Sequence, residues 1–259
     1  MGWLEVASGE ILVIPRGVHF AVEVAGASRG YAVEVFQSMF VPPDRGPIGA
    51  NALANERDFL YPVAAFEERA CAFAVSFKFR GRLFRTTRDH SVFNVVAWHG
   101  NYAPYKYDLA RFCAAGSVTY DHLDPSIFTV LTAASSTPGV AVCDFVIFPG
   151  RWAVQEDTFR PPYYHKNCMS EFMGLIRGVY EAKKEGFLPG GASLHSCMTP
   201  HGPDKKTFDI ESALQLKPQR YPDSTLAFMF ESTYLLSISP WASSPELLDQ
   251  NYMDAWAGL

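Results

Sequence analysis

The sequence predicts a mainly β protein, and three observations carry that prediction. Residues 71–79 place Cys71, Phe73, Val75, Phe77 and Phe79 at every second position, the period of a strand with one buried face. Apolar, β-rich runs recur at Thr129 to Thr132, Val140 to Phe148, Leu226 to Glu231 and Leu235 to Ile238. His165 and Glu171 are separated by an even number of positions, which puts both on one face of a strand, whereas helical steps of about 100° would set them well apart.

The remaining elements follow in order. Gly9 to Phe20 reads as a strand and tight turn, with Gly9, Pro15 and Gly17 spaced Gly-x5-Pro-x-Gly. That spacing resembles the second short motif of cupin barrels, but His19 falls one place short of the ligand position and no His-x-His precedes it, so this copy reads as structural. Strand-like alternation continues from Ala21 to Val24 and from Tyr31 to Phe36. Val41 to Asn51 is dense in turn formers and reads as an ordered or functional loop. Val92 to Trp98 is a further apolar run, broken by His99-Gly100-Asn101-Tyr102, where His99 reads as a core or turn histidine. Glu185 to Pro203 has the Gly and Pro content of a long ordered loop, the usual place for functional groups.

Composition narrows the class. A chain of 259 residues with 48% hydrophobic content can bury a full core, as one large or two modest domains. A net charge of −5, without any Lys/Arg cluster interleaved with aromatics, argues against nucleic acid as a partner. The five cysteines are odd in number and form no C-x-x-C pair, which suits a reducing compartment and a cytoplasmic location. No run approaches the ~18 to 20 apolar residues of a membrane span, and no basic-then-apolar export signal opens the chain.

Four of the seven histidines lie between His122 and His201, and this concentration marks a site. His165 and Glu171, joined by His201 from the Gly/Pro-rich segment, make two imidazoles and one carboxylate. That set occupies one face of an octahedral Fe(II) and leaves positions for substrate and dioxygen. Glu171 shares its parity with Met169, Met173, Leu175 and Val179, so it faces an apolar interior where an unpaired carboxylate is costly and a metal removes the cost. Plainer readings stand beside this one: His165 as a loop residue after two prolines, Glu171 as a solvated strand carboxylate, and His201 as a turn residue. His122 lies between Asp121 and Asp124, either of which can hold an imidazole in a turn.

Gly46 to Asn51, Phe93 to Tyr102, Asp124 to Leu131, Phe159 to Gly178 and His195 to Pro203 closely resemble homogentisate 1,2-dioxygenases, and the match spans almost the whole chain. The resemblance implies a cupin-like jelly-roll barrel with iron, residues 111–259, preceded by the remainder of a β-sandwich domain, residues 1–110. Members of the family are much longer, so the chain is expected to lack most of the N-terminal domain. The resemblance also implies Fe(II) held by His165, Glu171 and His201, an acid/base role for His122, and substrate contacts from Tyr180, His195 and His201. The implied reaction opens homogentisate, an aromatic acid, with O2 to give maleylacetoacetate. A histidine of pKa about 6.5 suits the proton transfer. The implied assembly is a homo-oligomer, a trimer or hexamer. Two alternatives remain at this level: a cupin metalloprotein using Zn or Mn for other work, since His and carboxylate ligands do not by themselves select iron, and an inactive truncated remnant.

Overall fold

Strands dominate the fold, as the alternating pattern requires. The computed structural model describes residues 2–43, 54–95, 102–114 and 125–259, and the chain divides into two compact units. The first comprises Met1–Ser28 and Asn55–Leu109, the second Arg29–Ala54 and Ala110–Leu259.

In the first unit, β1 (Gly2–Trp3) and β2 (Glu10–Val13) precede β3 (Phe59–Leu60), β4 (Val63–Ala64), β5 (Ala70–Phe79), β6 (Arg82–His90) and β7 (Tyr105–Asp108). A three-stranded sheet runs β2-β7-β3, while β1 pairs with β4 and β5 with β6. The β5–β6 hairpin closes through Arg80 and Gly81, both at positive φ (48° and 73°), the two-residue turn whose twist matches that of its strands. The expected one-faced burial of β5 holds at Cys71, Phe73 and Val75 and ends there, because Phe77 and Phe79 lie in the exposed half of the hairpin. The segment Ala21 to Val24 adopts no strand.

In the second unit, β8 (Thr129–Ala134), β9 (Ala141–Ala153), β10 (Ser170–Arg177), β11 (Ala192–His195) and β12 (Gln219–Ser232) form one antiparallel sheet in the order β11-β10-β12-β9-β8. The mainly β expectation therefore holds, and among the described residues this sheet is open. Tyr31 to Phe36 and Leu235 to Ile238, read as strands in the sequence, run without sheet pairing. Tyr31 instead donates through its hydroxyl to the Gly191 carbonyl and sets its ring 4.5 Å from that of Phe228. Only one α-helix, the short α1 (Lys205–Ser212), is described in this unit. Its N-cap Asp204 accepts from the Thr207 amide, which anchors the end of the preceding loop.

The two faces of the sheet differ. One carries Phe145, Phe172, Phe228 and Phe230, whose rings contact one another. On the other, buried Val146, Met173, Leu175, Ala227 and Met229 give way to one polar row: register places Thr132 opposite Asp144, Asp144 opposite Glu231, Glu231 opposite Glu171, and Glu171 opposite His195. Directly paired residues share a face, so five polar side chains from five strands line up across an otherwise apolar surface.

Candidate metal centre

Glu171 is the second residue of β10, and its parity with Met173 and Leu175 does bury it, at 5% exposure. The route by which His165 reaches it differs from the sequence expectation. The even spacing predicts one continuous strand, but β10 begins only at Ser170. Asn167 breaks the strand by accepting the Met169 amide on its side-chain oxygen, at 2.6 Å. His165 pairs instead with His201 in an isolated antiparallel bridge, each amide donating to the other's carbonyl at 2.9 Å. The loop carrying His201 is held by the Tyr164 hydroxyl and the Trp256 indole N–H, both donating to the Pro203 carbonyl at 3.0 Å.

These supports bring one ligand atom from each of His165, Glu171 and His201 within 4.8 Å of one another. His201 Nε2 lies 2.9 Å from Glu171 Oε2, and His165 Nε2 lies 3.8 Å from Oε1. The other ring nitrogens are occupied by backbone: His165 Nδ1 meets the Tyr163 carbonyl, and His201 Nδ1 meets the Thr199 carbonyl at 2.9 Å. A neutral imidazole has a single N–H. With that proton given to a carbonyl, Nε2 of each ring turns a lone pair toward the carboxylate. Lone pairs aimed at an anion repel unless a cation lies between, so the donor set fits a metal ion.

Burial opposes ionisation of Glu171, yet where the imidazoles of His165, His195 and His201 present an N–H to it, as protonated rings do in place of a bound cation, their hydrogen bonds hold its carboxyl well below the usual range. The His165 imidazole is correspondingly raised, chiefly by Glu171. Side-chain exposure is 6% at Glu171, 8% at His201 and 37% at His165, so the centre is closed at the sheet and opens toward solvent on the His165 side.

The other expected site residues separate. His195 comes into the cluster: its ring stacks on His201 with centroids 4.2 Å apart, and its Nδ1 lies 3.8 Å from Glu171 Oε2. Tyr180 is buried between Phe148 and Phe187, and burial first, then the charge of Glu181, raises its phenol and keeps it protonated. His122, with Asp121 and Asp124, and His99 lie outside the described residues. His19 is exposed in the first unit.

Three participants lie outside the set of candidates that the sequence singles out. Asn167 donates to Glu171 Oε1 at 2.6 Å, Tyr252 Oη lies 3.0 Å from His195 Nε2, and Glu231 is the register partner of Glu171. The first was visible as an Asn between the two candidate ligands. The other two depend on pairings between distant segments.

A family model described as homogentisate 1,2-dioxygenase C-terminal matches residues 110–259, and one described as homogentisate 1,2-dioxygenase N-terminal matches residues 1–109. The chain is 63% identical to the homogentisate 1,2-dioxygenase of Dictyostelium discoideum, 57% to that of Homo sapiens and 56% to that of Rhodopseudomonas palustris strain BisA53. These alignments take in 100% of this chain and 60%, 59% and 58% of the respective relatives, so the chain spans well under two thirds of their length. No helix among the described residues is long and apolar enough to cross a membrane.

Proposed function

The chain belongs to the homogentisate 1,2-dioxygenase family, and on that premise we propose that it carries the site of a non-haem Fe(II) dioxygenase that opens homogentisate with O2 to give maleylacetoacetate. The observation that supports this most directly is the convergence of His165 Nε2, His201 Nε2 and one Glu171 oxygen within 4.8 Å, with both Nδ1 protons already given to backbone carbonyls. On this reading residues 111–259 are the iron domain and 1–110 part of the N-terminal domain. The cytoplasmic location and the trimeric or hexameric assembly belong to the same reading.

Bound Fe(II) supplies Lewis acidity and a one-electron couple, the means by which such centres engage O2. The chain's own residues do the rest. His165, Glu171 and His201 hold the ion from one side, and the open side at His165 admits an aromatic acid. Asn167 keeps Glu171 Oε1 hydrogen-bonded, so the carboxylate cannot swing. Tyr180 stays a hydrogen-bond donor at neutral pH and suits an anionic oxygen of the substrate. His195 lines the pocket with a buried ring nitrogen. His122 takes the phenolic proton. Holding substrate in place beside the ion turns an encounter of separate reactants into a local rearrangement.

The test is anaerobic loading with Fe(II), metal analysis, and oxygen uptake with homogentisate. One iron per chain and one O2 consumed per ring opened are expected, with Zn(II)-loaded protein inactive because zinc has no redox change to offer. In His122→Phe, iron is expected to stay bound while turnover falls on the order of 10²- to 10⁴-fold, the usual worth of a positioned acid or base. Iron bound elsewhere than at the triad, or iron bound without oxygen uptake, overturns the reading.

A further inference from the structure

Three imidazoles surround Glu171, yet only those of His165 and His201 share its 4.8 Å ligand cluster. We propose that Tyr252 makes His195 a hydrogen-bond donor into the site and thereby keeps it from becoming a fourth metal ligand. The proposal deepens the iron-site reading and rests on it for its consequence, although the hydrogen bond itself can be read without any metal.

Which His195 nitrogen carries the proton decides what the ring presents to the site. His195 Nε2 lies 3.0 Å from Tyr252 Oη. Its Nδ1 is buried, has no hydrogen-bond partner among the described residues, and points toward Glu171 Oε2 at 3.8 Å. Two arrangements exist. If Nε2–H donates to the phenol oxygen, Nδ1 turns a lone pair toward a buried carboxylate, an electrostatic penalty. That lone pair is also a metal donor. If Tyr252 O–H donates, Nε2 accepts and Nδ1–H faces the anion, which is favourable. Burial holds the Tyr252 phenol protonated, with Asp249 adding to the effect and a hydrogen bond from Ser193 opposing it; a Ser193 hydroxyl that donates to the phenol oxygen leaves the phenol proton for His195.

Tyr252 is placed independently of this hydrogen bond. It opens a short 3-10 turn, Tyr252–Trp256, and the Lys183 ammonium sits 4.3 Å from its ring centroid. The Trp256 ring meets it edge-on at 5.0 Å, and the indole N–H donates to Pro203, two residues beyond His201. One segment near the end of the chain therefore holds both the His201 loop and Nε2 of His195. Among the described residues this leaves three side chains to hold a metal, and an N–H aimed at whatever anionic oxygen binds there. Tyr252 is a positioning residue acting through His195.

Long-range ¹H–¹⁵N correlation of the histidine rings tests this on metal-free protein, with the His195 signals identified by their loss in His195→Gln. In the unaltered protein, His195 is expected to be protonated on Nδ1 and bare on Nε2. Protonation on Nε2 overturns the proposal without recourse to any Tyr252 variant. Tyr252→Phe removes only the hydroxyl and keeps the ring contacts with Lys183 and Trp256. In that variant the His195 tautomer is expected to shift toward Nε2–H, and Co(II)-loaded protein to lose visible absorption intensity as a nitrogen ligand is added. Turnover is expected to fall about tenfold, the worth of one hydrogen bond, with KM changed less. In a His195→Gln background, Tyr252→Phe is expected to add nothing further. An unmoved tautomer and an unmoved Co(II) spectrum in Tyr252→Phe overturn the proposal. A tautomer shift in protein that fails to bind Fe(II) upholds the hydrogen-bond assignment and overturns the iron reading instead.

Discussion

His165 and His201 exchange both backbone hydrogen bonds, each amide to the other's carbonyl at 2.9 Å, and this bridge stands their rings 4.3 Å apart beside Glu171. The geometry of the candidate metal site thus rests on backbone pairing as well as on side-chain identity. Two loop segments are pinned to each other and then presented to the strand that carries the carboxylate.

Glu171→Gln keeps the size of the side chain and removes its charge. The variant is expected to lose metal by more than the roughly 10- to 100-fold typical of altering an outer partner, and turnover is expected to fall with occupancy. Equilibrium metal titration beside oxygen uptake checks it. Full occupancy in the variant contradicts the ligand role.

Asn167→Ala removes the donor 2.6 Å from Glu171 Oε1 and the acceptor of the Met169 amide. Metal affinity is expected to drop about 10- to 100-fold. Asn167→Asp keeps the acceptor for the Met169 amide but sets a second negative charge against Oε1, so the metal-free protein is expected to be destabilised while the attraction for a divalent cation is retained. Competitive titration with a chelator of known affinity distinguishes the two variants.

Gly174 lies in β10 where a Cβ would meet the Phe228 ring at 2.4 and 2.6 Å. Gly174→Ala therefore overpacks the aromatic face of the sheet and is expected to cost about 1–3 kcal/mol. Urea unfolding of the two proteins, with the midpoint shifted and the slope unchanged, is the check.

In the first unit, Glu10 receives the Lys106 ammonium at 2.8 Å and the Ala7 amide at 2.6 Å, and these hydrogen bonds, that from Lys106 foremost, lower its carboxyl below its ordinary 4.5. A depressed folded-state value means that the unfolded chain binds more protons through this window. The stabilisation is therefore present above 4.5 and is lost as pH falls through the folded value. The stability difference between the unaltered protein and Glu10→Gln is expected to be greatest at neutral pH and to shrink on acidification below 4.5. Thermal unfolding across that range measures it, and a difference independent of pH contradicts the pairing.

Apolar, β-rich runs and period-two alternation sufficed for the β class; the runs at Thr129 to Thr132, Val140 to Phe148 and Leu226 to Glu231 overlap the strands Thr129–Ala134, Ala141–Ala153 and Gln219–Ser232. Parity gave the burial of Glu171, because strand geometry ties the face of each residue to its parity. Residue chemistry likewise singled out His165, Glu171 and His201. Parity says nothing, however, about which strand lies beside which. The row Thr132, Asp144, Glu231, Glu171 and His195 exists only through register across five strands. The His165–His201 bridge replaces the continuous strand that the spacing implied, since Asn167 satisfies the Met169 amide locally and stops the ladder before it reaches His165. Tyr252 lies far from His195 along the chain, and no local pattern connects them. Only the docking of the final turn, through Trp256 on Pro203 and Lys183 on the Tyr252 ring, brings that phenol to His195 and gives the imidazole its orientation.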